Sequence, residues 1–329
     1  MRLLLHLGDG SSETTCDLQG ADIVLTRSAV LAATGWEVKD HGLCRGDVCR
    51  PASLGETVGL TELATALGRP LAVEVDAEEA VAVLGEPGGT TVRRGDRVPD
   101  LALTDADGRA VQVTTPGRRT LLVAWSTWCG CRYELPAWKQ LTEELEPLGL
   151  DLVTVALDDD EDRVRHWTSK AGLPPVLDPG HRLSDVFGVV NVPSTVWLDE
   201  QGRVAKPPTI APGDDQFKEF TEVDAARHHE ALRRWMRDGV VPDQVPDSGG
   251  DDADLRLART ERRLAAWLHR EGRTEAAERH FKAAVALAPL DFSIRRSSMR
   301  RRGQDPFGED FFELWEQWSQ AGRPGYTPT

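Results

Sequence analysis

The 329-residue chain lacks any apolar run long enough to cross a bilayer, and it lacks a basic surplus: 54 Asp and Glu stand against 39 Lys and Arg, a net charge of −15. The first absence excludes a transmembrane helix, which needs about 20 consecutive apolar residues. The second excludes the electrostatic footprint of a nucleic-acid binder and of a protein held on anionic lipid. The opening "MRLLLHLGDG" carries one arginine and a short apolar stretch broken by polar residues and glycine, too short for the apolar core of a secretory leader. A soluble, cytoplasmic protein is therefore expected. No glycine-rich dinucleotide loop follows any expected strand, so no organic cofactor is implied. Cysteine is scarce, five in all. In a reducing compartment so few argue against a structural disulfide framework, and closely spaced pairs point instead to redox chemistry or metal.

What is present divides into segments. Residues 1–93 read as a small α+β domain. "SAVLAATGW" and "LTELATALG" form short helices, and "WEVKDHGLCRGDVCRP" a β-hairpin turning at Gly46 and Asp47. Residues 94–207 alternate strands with helices: a hairpin around Asp107 and Gly108, the apolar strands "TLLVAW" and "DLVTVALD", the helix "EDRVRHWTSKAG", then the strand pair "STVWLDEQGRVA". That order predicts an α/β sheet with parallel crossovers. Residues 208–250 hold a helix, "DAARHHEALRRWMRDG", and a Pro, Gly and Asp-rich linker. Residues 251–329 form a helical region. Within it Leu264, Leu268, Ala277, Phe281, Ala284 and Pro289 keep the register of one tetratricopeptide-type hairpin. A lone hairpin cannot bury both faces, so it is expected to pack on the rest of the chain or to serve self-association or a protein partner. In the tail, Phe311, Phe312, Trp315 and Trp318 are spaced as a docked amphipathic helix.

The chemistry concentrates in "WSTWCGCRYELP", residues 125–136, at the junction of an apolar strand and a helix. Open α/β sheets place their sites at this carboxyl edge. A thiolate is the reactive form of cysteine, and its pKa falls at a helix N-terminus, where Cys129 is expected. Cys131 could close a disulfide in the same turn. One intervening residue makes a tight ring, and Gly130 would tolerate the unusual dihedrals. Glu134, three residues beyond Cys131, would share its helix face, either as a carboxyl of raised pKa that takes the resolving thiol's proton or as a solvated first-turn acid. Trp125 and Trp128 would wall the site or pack structurally.

These residues resemble the active-site segment of the thioredoxin-like TlpA/ResA family, related to the AhpC/TSA redoxins. Its usual Trp-Cys-x-x-Cys, basic residue, x-Glu-x-Pro pattern is met by Trp128, Cys129, Cys131, Arg132, Glu134 and Pro136, with one inter-cysteine residue absent. A ResA-like subgroup with a Trp-Ala-x-x-U-Gly-Cys motif, U being selenocysteine, is matched by Trp125, Cys129, Gly130 and Cys131, with Ser126 in place of alanine. The resemblance implies that Cys129 attacks and Cys131 resolves, and that Glu134 assists. It also implies that Pro193, in "GVVNVPSTVWLDEQGRV", is the cis-proline of a thioredoxin fold, with Val192 offering backbone hydrogen bonds to an extended substrate. A thiol–disulfide oxidoreductase follows, with a protein or low-molecular-weight disulfide substrate and a thiol reductant.

Two other readings stand beside it. A thiol peroxidase is similar in kind, although Leu122 and Ser126 occupy the proline and threonine places of the Pro-x-x-x-Thr-x-x-Cys peroxidase motif. A non-catalytic assembly or soft-metal protein is the other. Cys44 and Cys49, opposite one another on the hairpin, would act as a redox relay, as zinc ligands with His41 and Cys16, or as plain thiols. The acidic run "DDDED", residues 158–162, reads as a solvated loop leading into a helix.

Overall fold

The computed structural model describes residues 1–8, 10–89, 91–242 and 252–323. They form two compact units, each assembled from separated stretches of chain: Met1–Thr90 with Asp251–Pro289, and Thr91–Gly250 with Leu290–Thr329. The reading of 251–329 as one helical region is corrected by this division, which falls at residues 289 and 290. The apolar residues on either side of that point have different cores to enter. Of the expected linker, residues 243–251 lie outside the described residues.

In the first unit a four-stranded sheet runs in the order Gly10–Thr15, Arg2–Leu7, Glu79–Leu84, Leu71–Val75. Arg2–Leu7 and Glu79–Leu84 are parallel, and the outer pairs are antiparallel. Side chains alternate across a strand, so one face receives Leu3, Leu5, Ala80 and Ala82, which pack with helices Arg27–Thr34 and Leu60–Leu67. The opposite face presents Ala72, Val81 and Val83 to a helical hairpin, Ala253–Arg270 and Thr274–Leu287, through Leu264, Leu268 and Phe281. The hairpin thus covers a sheet of its own unit. Gly85 marks how closely it approaches: a Cβ there would lie 2.1 Å from Thr260 Oγ1. The small sheet Glu37–Lys39, Gly42–Arg45 and Val48–Pro51 pairs Cys44 directly with Cys49.

The second unit carries a seven-stranded sheet in the order Ala110–Val111, Leu103–Asp105, Val176–Leu177, Leu150–Ala156, Arg119–Trp125, Ser194–Leu198, Val204–Ile210. Arg119–Trp125 pairs in parallel with Leu150–Ala156, and that strand in parallel with Val176–Leu177; the other pairings are antiparallel. Helices on both faces bury the central strand, which explains its unbroken apolar reading. Leu121 and Val123 face helices Leu135–Leu145 and Ala225–Asp238. Leu122 and Ala124 face helices Glu161–Ala171 and Arg182–Phe187. A further small core of Phe292, Phe311, Leu314 and Trp318 joins two downstream helices, Phe292–Met299 and Glu309–Gln320. The cysteine turn leaves the carboxyl end of Arg119–Trp125.

The contact at Gly85 gives a direct check of the hairpin's seat on its sheet. Gly85→Ala should destabilise the protein by about 1–3 kcal/mol, the usual cost of overpacking. Adding Thr260→Ala removes the nearer of two collisions, Pro70 Cγ at 2.8 Å remaining, and should recover part of that loss in urea unfolding.

Candidate functional site

Past Trp125 the chain makes a loop held from two sides. The Asp158 carboxylate accepts from Ser126 Oγ at 2.9 Å, Thr127 N–H at 2.9 Å and Thr127 Oγ1 at 2.6 Å. Asp158 is buried, so the first residue of the acidic run is a brace for the cysteine loop and not part of a solvated segment. Asp160 does lead into the next helix, as its N-cap. From the other side Arg300 donates to Thr127 Oγ1 and Thr127 O, both at 3.0 Å.

Cys129 then caps a single 3₁₀ turn, Gly130–Tyr133, and the α-helix begins only at Leu135. The expectation of Cys129 at the α-helix N-terminus is corrected accordingly. Pro136 falls in the first α-helical turn, where a missing N–H costs nothing. One amide of the short turn still serves the sulfur: Cys131 N–H donates to Cys129 Sγ at 3.2 Å. Gly130 leaves room for a ring, which a side chain there would have to push aside. Its φ lies outside the left-handed region, and a Cβ there would sit 2.7 Å from the Phe217 ring.

Both thiols are free and buried. Burial alone pushes the Cys129 pKa up. The Cys131 thiol hydrogen bond, the Arg296 charge, the Cys131 amide and the Arg132 charge together outweigh it, and the value falls from 9.0 to about 7. Cys131 moves the opposite way, well above 9.0, through burial, its hydrogen bond to Cys129, and the negative charge of Cys129 and Glu134. Two adjacent thiols therefore differ sharply in acidity, and Cys129 is the one that ionises near neutral pH.

Glu134 is 2% exposed, which settles its place inside the site. Its Oε2 accepts from Gly213 N–H at 2.8 Å. Burial raises its pKa to about 8; the Gly213 hydrogen bond opposes this, and the charges of Cys129 and Asp214 add to it. Val192–Pro193 is a cis peptide, and Pro193 lies beside the sulfurs. Val192 does not offer the free backbone groups expected of it. Its N–H donates to Asn191 Oδ1 at 2.8 Å, and its carbonyl accepts from Cys129 Sγ at 3.3 Å. Trp128 is a buried support: its Nε1 donates to Leu157 O at 3.3 Å, and its ring packs behind the cavity.

The feature that sequence reasoning missed comes from the downstream helices. Arg296, 4% exposed, donates from Nη2 to Trp128 O at 3.0 Å and to Pro306 O at 2.9 Å. Its guanidinium lies 4.3 Å from the Phe311 ring centroid, 5.2 Å from Phe307 and 5.3 Å from Trp128. Arg296, Phe307, Phe311, Phe312 and Trp315 join Cys129, Cys131, Glu134 and Pro193 around one cavity of about 240 Å³. The tail helix docks as expected through Phe311, Leu314 and Trp318, but its other aromatics line the site. The arginine sits among serines and arginines in "SIRRSSMR", with no local pattern to single it out.

The remaining candidates separate. Ser126, which a peroxidase would use to orient peroxide, is buried, engaged with Asp158 and not part of the cavity lining. Cys44 and Cys49 are joined as a disulfide, with Cα atoms 4.1 Å apart. His41 Nε2 lies 3.4 Å from Cys44 Sγ, so His41, Cys44 and Cys49 cluster, whereas Cys16 packs in the core of the first unit. Sulfurs bonded to each other are not thiolate ligands, so zinc would require their reduction.

Residues 94–206 match the model of the AhpC/TSA family. Among curated relatives, the thiol-disulfide oxidoreductase ResA of Geobacillus thermodenitrificans is 28% identical over 148 residues, 44% of this chain and 80% of its own. ResA of Halalkalibacterium halodurans is 27% identical over 135 residues, 40% of this chain and 77% of its own. The crystal structure of StoA from Bacillus subtilis aligns with 23% identity, covering 40% of this chain and 98% of that one, at a TM-score of 0.31. The second unit thus contains a thioredoxin-like redoxin domain of the AhpC/TSA family. Within that family the domain is TlpA/ResA-like.

Two outcomes test the electrostatics. Folding raises the Glu134 pKa, so between pH 4.5 and about 8 the folded protein binds more protons than the unfolded chain and stability falls as pH rises. Glu134→Gln keeps an acceptor for Gly213 and removes this linkage. Its stability in urea should decline less than wild type between about pH 5 and 7. Arg296→Met should move the Cys129 pKa upward, read from thiolate ultraviolet absorbance against pH, and Arg296→Lys should move it less.

Proposed function

We propose that the protein is a thiol–disulfide oxidoreductase whose working pair is Cys129 and Cys131. The observation that carries this reading is geometric: two free, buried thiols lie in one turn, and a buried carboxyl, Glu134, and the cis-proline Pro193 line the same cavity. A thiol whose pKa lies near ambient pH is the best attacker, since it combines thiolate population with nucleophilicity. Cys129 meets that condition. The names of the ResA relatives point to the same class of reaction.

The Cys129 thiolate attacks one sulfur of a substrate disulfide; the substrate S–S bond breaks, and the departing thiolate is protonated. This leaves a mixed disulfide on Cys129 and removes the negative charge that had raised the Glu134 pKa. Glu134, protonated near neutral pH, gives its proton to the departing thiolate, and the carboxylate so formed takes the Cys131 proton. Cys131 then attacks Cys129 Sγ, closes the Cys129–Cys131 disulfide and releases the second substrate thiol. Two electrons pass from the pair to the substrate, and an external thiol reductant restores them.

With a disulfide substrate, Cys131→Ser should accumulate the mixed disulfide on Cys129, seen as a mass increase of one substrate half. Cys129→Ser should form no adduct and lose turnover by at least about 10³-fold, the scale of losing an activated nucleophile. Adduct on Cys131 in the Cys129→Ser protein, with turnover kept, would reverse the two roles.

A further inference from the structure

The cavity over the sulfurs differs from an open groove in its walls and in its edge. Of its walls, Phe292, Phe307, Phe311, Phe312 and Trp315 come from the downstream helical segment, and Phe217 and Phe220 from the segment before helix Ala225–Asp238. Phe220 and Trp315 pack ring on ring at 4.4 Å, while Phe220, Phe307 and Phe312 remain 41%, 40% and 56% exposed. Exposed aromatics around a buried thiol form an apolar entrance. The two ionisable side chains in the lining, other than the cysteines, are committed: Glu134 to the Gly213 amide, Arg296 to the carbonyls of Trp128 and Pro306. Recognition is left to apolar and aromatic contact.

The edge beside Pro193 is closed. An extended peptide joins a protein strand through free main-chain groups. Here Val190 O accepts from Ser293 N–H at 3.0 Å, Asn191 O from Ser194 Oγ at 2.7 Å and Pro193 O from Ala211 N–H at 3.3 Å. The Val192 N–H is engaged by Asn191 Oδ1, and its carbonyl is met by the Cys129 thiol and released when that sulfur ionises, which leaves one free acceptor in place of the paired donor and acceptor that an added strand needs. At about 240 Å³ the cavity is also smaller than the roughly 300–1,000 Å³ typical of small-molecule sites.

Resting on the thiol–disulfide reading above, we infer that this cavity takes a small disulfide with an aromatic or apolar body, in preference to a polypeptide disulfide or a polar one. Cys129 bonds to the sulfur bearing the apolar group, the polar half departs as a thiol, and Cys131 then displaces the apolar thiol. The two electrons come from the cysteine pair and are returned by an external dithiol.

The test uses the full-length protein with dithiothreitol as reductant. It compares benzyl 2-hydroxyethyl disulfide with bis(2-hydroxyethyl) disulfide, glutathione disulfide and insulin, each kcat/KM divided by the substrate's rate with dithiothreitol alone. The benzyl compound should exceed each of the others at least fivefold. Phe312→Ala, at an exposed position on the rim, should lose at least half of that preference, and Phe312→Leu should lose less. A preference below fivefold, insulin turned over as well as the benzyl compound, or a preference untouched in Phe312→Ala would overturn the inference. Failure of the underlying chemistry looks different: no substrate would react faster than with dithiothreitol alone, no Cys129–Cys131 disulfide would form, and both readings would fall together.

Discussion

A guanidinium sealed against a thiol is the interaction on which the redox end of this protein depends. Two buried cysteines would ordinarily both be poor acids, because a thiolate out of water loses its solvation. For one of them the hydrogen bond from the Cys131 thiol and, next to it, the Arg296 charge reverse that balance, with the Cys131 amide and Arg132 adding to it. Arginine is suited to the place, since it cannot shed its proton and its planar face lies against aromatic rings while its N–H groups reach carbonyls. Phe311 and Phe307 supply the rings, Trp128 and Pro306 the carbonyls. The arrangement is mutual. Without the carbonyls and rings the cation would carry an unmet burial cost, and without the cation the Cys129 thiol would be a weaker acid.

The same arrangement explains which parts of the site could be read from the chain. Strands and helices of residues 94–207 announce themselves through apolar runs and breakers, and Cys-Gly-Cys at a strand end is a local signal. Glu134 was legible as a neighbour of Cys131, though its burial was not, because the element that buries it, around Gly213, lies far along the chain. The start of the helix was misplaced because Trp128 to Tyr133 keep enough helical spacing to conceal a 3₁₀ turn. Asp158 reads as solvated because four more acids follow it directly in sequence. In space it is the one turned toward Ser126 and Thr127. Arg296 carried no signal at all: its partners are brought together only by the tertiary fold.

Division of the chain shows the same limit at larger scale. The apolar spacing between residues 253 and 287 suggests paired helices, where helices Ala253–Arg270 and Thr274–Leu287 lie, and the aromatic tail suggests a docked one. Nothing in either pattern says that the first belongs with strands Leu71–Val75 and Glu79–Leu84 while the second belongs with the cysteines. Amphipathicity specifies that a face will be covered, and leaves the covering surface to be chosen by complementarity.

The late position of the covering helices has a consequence for biosynthesis. Helix Phe292–Met299 is translated roughly eighty residues after strand Val204–Ile210, the final strand of the redox sheet. At about 5–20 residues per second, the finished sheet waits on the order of 4–16 s before Arg296 and the aromatics of the downstream helices are made. During that interval the pair lacks both its cation and its roof, so Cys129 is a less acidic but more accessible thiol than in the finished protein.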